Sequence, residues 1–224
     1  MKILHRVRAG VKQMDTKPSK SYEPLVLLTA GLTALLISGI RPYDRMTWVM
    51  EVFPVLLGAP ILIATYRRFP LTPLLYRLIL FHALILILGG HYTYARVPLG
   101  FWLQDLFNFS RNHYDRLGHL AQGFIPAILA REVLLRKSPL VPGKWLFFLV
   151  VCVCLALSAM YELIEWCTAV IFGEAADSFL GTQGDVWDTQ WDMLLALVGS
   201  IIAQLVLSFC HDRALEKLDL EKMP

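Results

Sequence analysis

The chain is built of long apolar blocks separated by short polar stretches, and that alternation limits its fold more than any other feature. Apolar blocks of this length are too long for strands or for the faces of soluble helices. They match the roughly 17–25 residues a helix needs to cross the hydrocarbon of a bilayer. Of the 224 residues, 56% are hydrophobic and 17% charged, against about 25% charged in a soluble domain. The expected fold class is all-α: a polytopic membrane protein with six transmembrane helices and a short interfacial helix between spans three and four.

The spans are read as Pro24 to Ile40, Met46 to Tyr66, Pro73 to His91, Asp115 to Leu135, Trp145 to Phe172 and Asp188 to Cys210. The stretch VPLGFWLQDLFNFS, residues 97–110, with Phe101, Trp102, Leu103, Leu106 and Phe107 on one apolar face, reads as a short helix lying in the interface. Residues 1–22 form a basic segment, 23–210 one membrane domain and 211–224 a solvated tail. The first apolar block has no small-residue cleavage pattern after it, so it reads as a retained span. No low-complexity tract or residue-level repeat is evident. The four cysteines, Cys152, Cys154, Cys167 and Cys210, lie in or beside apolar blocks and read as packing residues.

Orientation follows from the basic residues. Lys2, Arg6, Arg8, Lys12, Lys17 and Lys20, then Arg67 and Arg68, then Arg131 through Lys144 and Arg213 to Lys222, fall on one side if the N-terminus is cytoplasmic. Both termini are then on the cytoplasmic side. The loop between spans five and six holds Glu174, Asp177 and Asp185 and no Lys or Arg. The formal charge of +3 is small. The partner expected is the lipid bilayer, with no nucleic acid.

The expensive residues are the informative ones. A carboxylate inside the bilayer costs at least about 2.5 kcal/mol, so it faces inward and finds a partner. With a rise of about 1.5 Å per residue, Glu51 stands about 22 Å up its span, His91 about 27 Å, His119 about 24 Å, Glu162 about 25 Å and Asp192 about 27 Å. Five helices thus carry an ionisable group at one height, just inside the outer surface. Three helical pairs stand out: Asp115 with His119, Glu162 with Glu165, and Asp188 with Asp192. Spacings of three and four put each pair on one helix face. Spans four and six also turn their N-termini toward this height, where the helix dipole favours Asp115 and Asp188.

Carboxylates and imidazole together suit a divalent metal such as Zn, Mn or Fe, and helix bundles build such sites from inward-facing pairs. The candidate metal ligands are His91, Asp115, His119, Glu162, Asp188 and Asp192, with His113 a further possibility. Candidate catalytic residues are Asp115, His119, Glu162, Glu165, Asp188 and Asp192. Arg111 and Arg116 are candidate substrate-binding residues, because guanidinium clamps phosphate or carboxylate. The bland alternative is a structural network, in which Arg116 pairs with Asp115 and the acids bond to Tyr92, Tyr94, Tyr114 and Tyr161. Trp102, Trp166, Trp187 and Trp191 read as an interfacial belt. Glu51 with Pro54 and Pro60 reads as a packing kink, or as a broken-helix ion site of the kind transporters use.

The motifs HYTYARVPLG at His91, RNHYDRLGHLAQGF at Arg111, YELIEW at Tyr161 and GDVWDTQWDM at Gly184 closely resemble the YjdF-type family of bacterial inner-membrane proteins. That resemblance spans residues 23 to 210 and implies location and topology, with no particular reaction. More distantly, Asp115, His119, Glu162, Glu165, Asp188, Asp192 and Gly199 fall in order on the pattern of VanZ-like membrane proteins. Glu165 and Asp192 stand where Gln and Asn are usual there. The VanZ likeness implies a role at the cell surface, touching envelope lipid or peptidoglycan precursors. Three functions follow as expectations: an enzyme hydrolysing a lipid or lipid-linked substrate with a bound metal, a proton-coupled transporter or lipid translocase, and a structural membrane subunit.

Overall fold

The structure is a computed structural model that describes residues 22–173 and 177–220. The basic segment expected over 1–22 lies outside the described residues except for Tyr22. Within them the chain is helical, with no strand. The order is α1 (Glu23–Ser38), α2 (Arg45–Thr65), α3 (Pro73–Tyr92), a 3-10 turn (Tyr94–Arg96), α4 (Pro98–Phe107), α5 (Tyr114–Lys137), α6 (Lys144–Phe172), α7 (Asp177–Leu180) and α8 (Asp188–Leu220).

Local chemistry sets the helix ends. The Asp44 carboxylate accepts the Thr47 N–H at 2.7 Å and caps α2. Thr72 caps α3 through the Leu75 N–H, and Pro73 supplies a first position that needs no donor. Asn108 takes the left-handed conformation that closes α4, and Phe109 N–H returns to the Gln104 carbonyl. Helix α2 runs unbroken through Pro54 and Pro60, which excludes the broken-helix ion site.

Four helices, α2, α3, α6 and α8, are long and apolar enough to cross a membrane. Helix α1 is apolar but has only 16 residues. Helix α5 has 24 residues but carries Asp115, Arg116, His119, Arg131, Glu132 and Arg136. It stays among apolar neighbours because it is the interior helix: α3, α6 and α8 all pack on it. One core cluster joins Leu71 and Leu75 to Ala127, Ile128, Leu146, Val150, Cys154 and Ala203. Another joins Ile85, Tyr94 and Val97 to Tyr114, Ala121 and Ile125.

The tightest contact is α5 on α8. A Cβ at Gly123 would lie 1.9 Å from the Ala196 carbonyl oxygen, and one at Gly199 would lie 2.2 Å from that of Leu120. The two helices therefore touch backbone to backbone, as small residues allow in membranes. They run parallel, and both N-termini meet at one end of the bundle. Helix α4 exposes Phe101, Trp102, Leu106 and Phe107 and rests Gly100 against Asn112.

Helix α8 runs on past Cys210, where the last span is expected to end, to Leu220; Arg213, Glu216, Lys217 and Leu220 are exposed on it, whereas His211 is completely buried. The reason is a second set of buried charges at the far end of the bundle. Glu132 accepts the Thr72 hydroxyl at 2.8 Å, the Thr72 N–H at 3.1 Å and Arg136 at 2.5 Å. His211 donates its Nε2–H to Glu132 at 3.0 Å, while Arg131 lies 2.9 Å from its Nδ1 and 2.8 Å from Asp212. Because a guanidinium can only donate, Nδ1 is the accepting nitrogen in this contact.

Candidate functional site

The segment that opens α5 is fixed before any acid is placed. Asn112 donates Nδ2–H to the Val97 carbonyl and accepts the Tyr114 N–H on Oδ1. Gln183 grips the Asn112 backbone from the loop before α8, accepting its N–H at 3.2 Å and donating to its carbonyl at 2.8 Å. Positive φ angles at Gly181, Gln183 and Gly184 fold that loop back over the helix ends. Arg111 donates to the Thr182 carbonyl at 2.9 Å and to Asp188 at 2.8 Å, and Arg116 meets Asp185 at 2.6 Å. The arginines thus tie the 181–187 loop to the start of α5. Arg116 pairs with Asp185, not with its sequence neighbour Asp115, and its guanidinium lies over the Trp191 ring.

Beneath this cover sit the helical pairs. The His119 ring, on α5, is buried with carboxylates on both of its nitrogens. Its Nε2 lies 3.5 Å from Asp115 and 3.9 Å from Asp192, and its Nδ1 lies 3.8 Å from Glu162. Ligand atoms of Asp115, His119 and Asp192 lie within 4.8 Å of one another, and so do those of His119, Glu162 and Glu165. Glu51, buried on α2, accepts the Tyr161 hydroxyl at 3.4 Å.

These separations exceed the 2.7–3.2 Å of a good N–H···O bond. Consistently, His119 Nδ1, Glu162 Oε1 and Asp192 Oδ1 are buried without a hydrogen-bond partner. Two ligands about 2.1 Å from one tetrahedral ion lie roughly 3.4 Å apart, which is closer to the spacing seen. Arg111 is similarly incomplete: its side chain is 10% exposed, and its Nε and Nη2 have no partner.

The structure thus brings together Asp115, His119, Glu162, Glu165 and Asp192. Asp188 stands above them at the rim, held by Arg111. His91 does not join: its Nδ1–H donates to the Ser38 carbonyl at 2.7 Å, and its ring meets Tyr92. Of the tyrosines, Tyr161 bonds an acid, whereas Tyr114 donates to the Ile85 carbonyl. Glu51, Glu132 and His211 are buried polar residues outside the candidate ligands and catalytic residues. Glu51 was legible by height. Glu132 and His211 fall near the ends of the expected spans, where polar residues are ordinarily solvated.

His113, just outside α5, has a Nδ1 without a partner. Burial, then the nearby Arg116 and Arg111 guanidiniums, hold its pKa below the usual 6.5. The unfolded chain therefore takes the proton more readily. The protein should lose stability as pH falls through about 6.5, and His113→Gln should flatten that part of a thermal-melt pH profile.

The comparisons with known proteins agree with this membrane architecture. No solved structure matches. The chain is 52% identical over 205 residues to the inner membrane protein YjdF of Escherichia coli (strain K12), covering 90% of this chain and 98% of that one. These comparisons do not show the VanZ-like likeness. A family model described as "Predicted membrane protein (DUF2238)" matches residues 23–213, so the chain belongs to that membrane-protein family, in line with its resemblance to YjdF.

Proposed function

We propose that the chain is a six-span protein of the bacterial inner membrane with both termini cytoplasmic. In this reading α1 and α5 cross along with the four long apolar helices. The acid and imidazole centre, near the periplasmic side, then binds a divalent metal and hydrolyses a phosphoester of an envelope lipid or lipid-linked substrate. One observation carries this: three carboxylates stand 3.5–3.9 Å from the two nitrogens of one buried imidazole, while His119 Nδ1, Glu162 Oε1 and Asp192 Oδ1 have no hydrogen-bond partner. Asp115, His119 and Asp192 are the ligands. A divalent ion there would bring a bound water toward neutral pKa. Glu162 and Glu165 would take the water's proton, and the free Nε and Nη2 of Arg111 would hold an anionic oxygen of the substrate.

Elemental analysis of detergent-purified protein should find about one divalent ion per chain. His119→Ala should weaken its retention more than about 100-fold, since even groups behind the ligands are worth 10–100-fold. A folded wild-type protein that binds no added Zn, Mn or Fe would reject the reading.

Proton-coupled transport is a second reading, favoured by the second buried charge set. The inner half of the bundle is not free of charge, because Glu132 and His211 lie there on the same two helices as His119 and Asp192. Uptake in vesicles that vanishes without a pH gradient would favour it.

A further inference from the structure

Helices α1 and α2 both pack on α3 but meet each other at one end only. At the site end Trp48 Nε1–H donates to Ser38 Oγ at 3.0 Å, and Leu35, Val52 and Ile87 form a small core. Toward the other end the helices splay apart. The wedge between them has a volume of about 720 Å³, within the roughly 300–1,000 Å³ of small-molecule sites. Its walls are apolar apart from His82, and Tyr22, Tyr66, Tyr76 and Arg67 stand at its mouth. The backbone at Gly58 borders open space: a Cβ there meets nothing within 4 Å.

We infer that this wedge holds one hydrocarbon chain of an anionic phospholipid from the leaflet at the mouth, with the lipid phosphate at Arg67. Charge selects this occupant. Arg67 and its neighbour Arg68 are exposed, and neither has an ion-pair partner among the described residues. The segment before Tyr22 adds Lys2, Arg6, Arg8, Lys12, Lys17 and Lys20 against Asp15. Like charge disfavours that segment itself, and a second copy, as the occupant. It favours an anionic headgroup, as basic juxtamembrane clusters do. The tyrosines at the mouth suit the headgroup level. This site is separate from the acid and imidazole centre and stands without it.

The test uses the full chain in detergent, with phosphatidylglycerol or phosphatidylcholine of identical chains, read by native mass spectrometry. Phosphatidylglycerol should be retained in preference, and Arg67→Gln with Arg68→Gln should abolish the preference. Gly58→Trp, which fills the wedge, should cut retention of both lipids about tenfold or more, because several methylenes lose their burial. Equal retention by wild type and Gly58→Trp would overturn the proposal, as would indifference of the wild type to headgroup. A photoreactive amino acid placed at Gly58 gives a readout if the tryptophan variant fails to fold. Crosslinks to lipid are expected; crosslinks to residues 1–21 or to a second copy overturn the assignment.

Discussion

Glu132→Ala is expected to destabilise the protein by about 3–5 kcal/mol, the usual result of removing one member of a buried charged set. Glu132 is fully buried and accepts from Thr72, Arg136 and His211. Its loss strands the Thr72 hydroxyl and N–H, the His211 Nε2–H and one contact of Arg136. It also loosens two junctions: Thr72 caps α3, and His211 holds the extension of α8. Arg136 keeps the Pro70 carbonyl at 2.8 Å and its stack on Phe69, so the α2–α3 loop should stay attached. Unfolding in mixed detergent measures the effect. Glu132→Gln, which keeps two of the acceptor contacts, should cost less than alanine. A change under about 1 kcal/mol would place the set among solvated surface pairs.

Gly199→Val should also be damaging, by a different route. The added Cβ meets the backbone of α5, at 2.2 Å from the Leu120 oxygen and 2.9 Å from the Phe124 nitrogen. A side chain could swing aside, whereas a helix backbone cannot. The helices must separate, and overpacking of this kind costs about 1–3 kcal/mol, occasionally more. Asp192 lies two turns before Gly199 and His119 one residue before Leu120, so separation also pulls these two apart. Gly123→Val should behave alike, since its Cβ meets Ala196 backbone atoms. The expected readout is reduced folded yield by size exclusion; normal yield would contradict the close α5–α8 contact.

Much of the helical plan was legible because hydrocarbon thickness and helical rise are strong constraints. The expected spans start and end within about two residues of α1 through α6. The gathering of His119, Glu162 and Asp192 followed from height and from the cost of burying charge. Loop geometry was not legible. Asp185 reaches Arg116 only because Gly181, Gln183 and Gly184 turn the chain back, and no periodicity reports such a turn. The direction of the His91 ring depends on a carbonyl 53 positions away. The far-end set is not legible either, because Glu132 and His211 are partnered across 79 positions and each alone looks like an ordinary polar residue near the end of a span.

The contact at Gly123 and Gly199 leaves α5 and α8 no slack to slide or tilt against each other. The pair behaves as a single beam carrying His119 and Asp192 near one end and Glu132 and His211 near the other. The rest of the wall around His119 and Asp192 comes from Glu162 on α6, and the 181–187 loop is tied across the top of the same beam by Arg111 and Arg116.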